Sequence, residues 1–63
     1  MRNKIIVVNG KFYTGICAEQ FSHERSRAKV IDSKQELKVI INGVYWSVMR
    51  DEIELKRIEV LDV

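Results

Sequence analysis

Two stretches of this chain say nearly the same thing: Val7-Val8-Asn9-Gly10-Lys11-Phe12-Tyr13-Thr14 and Ile40-Ile41-Asn42-Gly43-Val44-Tyr45-Trp46-Ser47. Each reads as a β-branched pair, Asn-Gly, one variable residue, two aromatics and a hydroxyl. A two-residue type I′ turn needs positive φ at both central positions. Asn and Gly tolerate that conformation, so Asn-Gly between apolar runs predicts a β-hairpin. Two such signals in 63 residues predict a sheet-dominated fold.

A chain of this length makes one domain, residues 1–63, with a modest core. It has one cysteine, Cys17, so no internal disulfide staples it, and no Cys/His spacing suits a structural zinc. Cohesion must come from packing, helped by a second copy or a partner. A single unpaired thiol fits a reducing compartment. No segment approaches the ~18 apolar residues of a membrane span. The run Ile5 to Val8 ends at Asn9-Gly10, too soon for a signal sequence. The expectation is a cytoplasmic protein without a membrane partner.

Alternation and β-branched enrichment divide the chain further. Strands are expected at 4–8 and 11–20, joined by Asn9-Gly10, with Gly15 marking a bulge or bend. A polar loop covers 22–26, a third strand 27–32, and a turn Asp32-Ser33-Lys34-Gln35. Strands at 36–41 and 44–49 flank Asn42-Gly43, a short helical turn occupies 50–53, and a last strand runs 54–61. The predicted fold is all-β: a five- to six-stranded antiparallel meander closing into a small barrel. The alternative is an α+β fold with a short helix within 18–28, where Ala, Glu, Gln, Arg and Lys accumulate.

The two hairpins sort differently. In the second, Ile41 opposes Val44, Val39 opposes Trp46 and Leu37 opposes Val48, giving an apolar core face and leaving Tyr45 on a mixed face. In the first, Ile6, Val8, Lys11 and Tyr13 share one face, and Ile5, Val7, Phe12, Thr14 and Ile16 the other. Both faces are largely apolar. Either closure of the fold covers both, or one meets a partner.

The stretch Gly43-Val44-Tyr45-Trp46-Ser47-Val48-Met49-Arg50-Asp51-Glu52-Ile53-Glu54-Leu55 resembles the end of SH3-like small barrels, where a hairpin strand runs into an acidic turn and a closing strand. The resemblance is one of architecture, over most of the chain. It implies binding rather than catalysis, because barrels of that class bind nucleic acids, peptides and other proteins.

Nothing in the sequence specifies a catalytic, cofactor or metal site. Cys17 and His23 are the only thiol and imidazole, and their spacing does not place them within hydrogen-bond reach. Asp51, Glu52 and Glu54 read as an acidic surface turn, with too few regularly spaced ligands for a divalent cation. Gly-rich phosphate loops and nucleophile elbows are missing.

The charge distribution is more informative. Residues 1–29 carry six basic and two acidic side chains, whereas residues 30–63 carry five and seven. Arg25, Arg27 and Lys29 recur every second residue, which on a strand makes a one-sided basic ridge. Lys11 adds charge, and Tyr13 and Tyr45 add aromatic surface. These six residues are the candidate binding set.

The first reading is a non-enzymatic module, a small regulator or inhibitor acting by protein–protein contact, of a size that phages and other mobile elements encode. The second is a nucleic-acid-binding barrel that uses the basic ridge and stacks bases on its aromatics. The third is self-assembly into a homodimer or larger structure.

Overall fold

Asn9 and Gly10 adopt φ of 53° and 80°, the pair of positive angles a type I′ turn requires. In a computed structural model that describes residues 2–16 and 18–63, this turn joins β1 (Lys4–Val8) to β2 (Lys11–Ile16). Val8 pairs with Lys11 and Val7 with Phe12, the predicted register. β2 then pairs with β3 (Glu19–Ser22). Between Tyr13↔Phe21 and Ile16↔Glu19, β2 carries one more residue than its partner, and Gly15 sits there at φ 79°. This is the expected bulge. The Thr14 hydroxyl secures it, accepting the Ile16 N–H at 3.1 Å and donating to the Glu19 carbonyl at 2.5 Å. Cys17 lies outside the described residues, so its expected place in a strand is not addressed.

The last strand, β4 (Ile58–Asp62), pairs with β1 from Lys4↔Asp62 to Val8↔Ile58. The sheet is antiparallel with order β3-β2-β1-β4. Among the described residues it does not close, and β3 and β4 are its edges. Only a short stretch of β2 lies against β1. Beyond it residues 29–31 wedge between the two strands: the Lys29 N–H donates to the Tyr13 carbonyl at 2.8 Å, and Lys4 and Ile31 exchange N–H···O bonds at 2.8 Å each.

Residues 36–41 and 44–49 do not form a second hairpin. They belong to one helix, α1 (Lys34–Met49), and Asn42-Gly43 lies at its middle. The helix starts because the Ser33 hydroxyl accepts the Glu36 N–H at 3.3 Å, satisfying one of the N–H groups that a first turn leaves orphaned. It persists because Leu37, Ile40, Ile41, Val44 and Val48 fall three and four apart and form one apolar face. That face packs on Ile6, Val8 and Ile31, with Tyr13, Phe21, Leu37, Ile40, Ile41, Ile53, Leu55 and Ile58 around them. A strand pair would have buried Val39 and Trp46; the helix turns both to solvent.

Other expectations change with it. Four strands replace five or six, and the sheet does not close into a barrel. The architecture is α+β, but its helix lies at 34–49 rather than within 18–28, where β3 is followed by a 3₁₀ turn, Arg25–Arg27. The strand expected over 27–32 reduces to the single bridge at Ile31, because most of it descends as a connection between the 3₁₀ turn and α1. Residues 50–53 are an irregular turn rather than a helical one, with Asp51 at φ 58° ending α1. β4 begins four residues later than the strand expected from residue 54, since 54–57 are tied to the first hairpin by the Asn9 side chain.

Both apolar faces of the first hairpin are covered along β1, while Ile16 on β2 stays 49% exposed. Ile6 and Val8 face α1, and Ile5 and Val7, on the opposite face, are also buried. β1 is therefore enclosed by its own chain.

Candidate protein-binding surface

The six residues singled out from the sequence do not converge. Arg25 and Arg27 lie in the 3₁₀ turn, where residues two apart point about 120° away from one another rather than along one row. Arg27 Nη1 meets Glu19 Oε2 at 3.1 Å, and Lys29 Nζ meets Glu36 Oε1 at 3.6 Å. The ridge that alternation predicted is therefore not formed, and two of its three cations face carboxylates. Lys11 is exposed at the start of β2, on the same face as Tyr13. Tyr13 is half-buried and packs edge-on against Phe21, with ring centroids 5.9 Å apart and planes at 64°. Tyr45 is exposed on α1.

Tyr13 and Phe21 form the floor of a groove of about 300 Å³ between α1 and the β2–β3 side of the sheet. Ile40 and Val44 wall it from the helix, and Gln20, Ser47 and Arg50 contribute polar groups at its margin. The Ser47 hydroxyl is turned back onto its own helix, donating to the Gly43 carbonyl at 3.1 Å. Arg50 is paired with Glu52 at 2.8 Å. The groove thus combines apolar walls with a polar margin.

Val39 and Gly43 also line the groove, and from them an apolar strip continues over the outer face of α1. Val39, Trp46 and Met49 follow one another at helical spacings of seven and three, with Tyr45 one turn from Met49. Val39 is 63% exposed, Tyr45 46%, Trp46 58% and Met49 73%. Together these four leave on the order of 500 Å² in water, within the range of the largest patch on an ordinary monomer, which is often functional. Trp, Tyr and Met are the side chains that protein interfaces enrich.

Sequence reasoning missed Val39, Trp46 and Met49 because it paired Val39 and Trp46 into a core face. Two signals contained the answer. Ser33-Lys34-Gln35-Glu36 is a capping-box sequence immediately before an apolar run. The spacing Leu37, Ile40, Ile41, Val44, Val48 then buries one side and places Val39, Trp46 and Met49 on the other.

Among the described residues, no three His, Cys, Asp or Glu side chains gather as a metal site would require. No described helix is long and apolar enough to cross a membrane. His23 is exposed in the connection after β3. Comparison of the chain with protein-family models, with curated proteins and with solved structures finds no match.

Proposed function

We propose that this protein is a non-enzymatic binding module that acts by docking another protein on the outer face of α1. The observation that carries this reading is the strip Val39, Tyr45, Trp46, Met49: four large apolar side chains exposed on one helix of a 63-residue chain. A domain this small has few apolar residues to spare from its core, and burying a side chain of this kind contributes roughly 1.5–3 kcal/mol. Leaving four in water is explained if a partner covers them. Such a module suits a regulator or inhibitor, which needs a surface rather than a reaction centre.

The test is affinity capture from nuclease-treated host lysate with the unaltered protein and with a Trp46→Ala, Met49→Ala variant. The expected result is a protein partner held by the first and lost by the second, with both equally folded by circular dichroism. Equal capture by both, or capture abolished by the nuclease, overturns the reading.

A further inference from the structure

We infer that the occupant of the α1 outer face is a second copy of this chain, packed antiparallel about a two-fold axis that passes between Asn42 and Gly43. The inference rests on the protein-docking reading above and adds the identity of the partner. It begins with Gly43. Glycine in a helix interior costs about 0.8–1 kcal/mol relative to alanine. Internal packing does not require it here, because a Cβ at this position meets no atom within 4 Å. A position left bare toward open space on the exposed side of a helix lets another backbone come close.

The sequence around it is self-complementary. A two-fold axis between residues 42 and 43 sets each side chain against its mirror position on the other helix. Val39 then lies against Trp46 of the partner subunit, and Trp46 against Val39 of the partner subunit. The two Asn42-Gly43 steps cross where the backbones must be nearest. At the rim, the end of α1 carrying Lys34 and Lys38 comes beside the end where Asp51 is exposed, twice over by symmetry. The same arrangement opposes the two helix dipoles. Charge and shape both match when the helices run antiparallel.

The areas agree. The chain exposes 4622 Å², against roughly 4,200 Å² for a compact monomer of 7.4 kDa. A standard interface covers about 800 Å² per partner; in this register Val39 and Trp46 form its apolar centre, Met49 its flank, and Gln35, Lys38, Asn42 and Arg50 the polar rim.

Sedimentation over a wide concentration range reads the proposal directly. The expected result is a reversible monomer–dimer equilibrium. Trp46→Ala should weaken it by roughly 30-fold or more. Gly43→Leu should abolish it while the monomer remains folded by circular dichroism. Lys34→Glu should weaken the dimer, and adding Asp51→Lys to the same chain should restore it, since the swap preserves pairing only in this register.

A dimer insensitive to Gly43→Leu and Trp46→Ala overturns the proposal. So does a strict monomer at every concentration. In the monomer case, lysate capture separates the two readings. Capture of another protein that Trp46→Ala abolishes leaves the docking reading standing with a different occupant, and capture that ignores Trp46→Ala removes both.

Discussion

The side-chain oxygen of Asn9 accepts the backbone N–H of Lys56 at 2.7 Å, joining two residues 47 positions apart in the chain. The same oxygen accepts the Arg57 N–H at 3.1 Å, and the Asn9 amide donates to the Glu54 carbonyl at 2.5 Å. One residue thus supplies the left-handed angle of the hairpin and pins the approach to β4. Its counterpart in the second Asn-Gly step, Asn42, is exposed on a helix. Asn9→Gly should keep the turn and lose the clamp, destabilising by about 1–2 kcal/mol. Asn9→Ala should cost about 2–3 kcal/mol, because alanine also resists the left-handed angle. Asn42→Ala should be neutral or slightly stabilising. Urea midpoints at constant m-value would rank the three.

Gly15 and Gly43 should respond to alanine with opposite signs. Gly15 sits at φ 79°, and a Cβ there would come within 2.8 Å of the Lys29 side chain. Gly15→Ala should destabilise by about 1–2 kcal/mol through backbone strain, since the lysine stem can yield. Gly43→Ala should stabilise by about 0.8–1 kcal/mol through helix propensity. Thermal unfolding of the two variants side by side would show the sign difference.

Removing the N-terminal cap of α1 should be measurable. Ser33→Ala leaves the Glu36 N–H without its partner and should cost about 1 kcal/mol, whereas Ser33→Asp should be close to neutral. The helical signal in far-ultraviolet circular dichroism, followed through a denaturant titration, checks both.

Two cations of the sequence-derived ridge are paired, Arg27 with Glu19 and Lys29 with Glu36. Oligonucleotide binding should therefore be weak and disappear as salt rises through the physiological range. Arg25→Glu should leave protein capture unchanged. Fluorescence anisotropy with single-stranded and duplex DNA and RNA over a salt series is the measurement. Tight binding with a slope reporting six or more phosphates would favour the nucleic-acid reading instead.

Residues 4–16 were largely legible because their signals are local, whereas the single strand expected over 11–20 gives way to a separate β3 at Glu19–Ser22. Asn9-Gly10 sets a turn type, and Gly15 relieves a bulge that few other residues tolerate. Residues 36–49 were not, because two local signals disagree there. β-branched content and Asn-Gly argue for a hairpin, while the Ser33–Glu36 cap and the three-four spacing of Leu37, Ile40, Ile41, Val44 and Val48 argue for a helix. Both readings turn Leu37, Ile41, Val44 and Val48 toward the core, although in the helix only Val44 is fully buried. They part at Val39 and Trp46, which a hairpin hides and the helix exposes. The candidate surface was unreadable for the same reason, since it is made of the residues on which the two readings differ. The basic ridge failed separately: alternation implies one face only on an extended strand, and Arg25–Arg27 form a 3₁₀ turn.

Among the described residues β1 is the first strand and an inner strand of the sheet, and one of its neighbours is the last, β4. On the ribosome, Ile5, Ile6, Val7 and Val8 therefore leave the exit tunnel long before residues 58–62 exist to shelter their open edge. Closing so long a loop raises the entropic cost only logarithmically, but the contact comes late and slows folding. Folding of the sheet must then wait until residues 58–62 have emerged. A chain stopped short of Ile58 is left with a bare apolar strand, a substrate for chaperones and proteases rather than a smaller version of the domain.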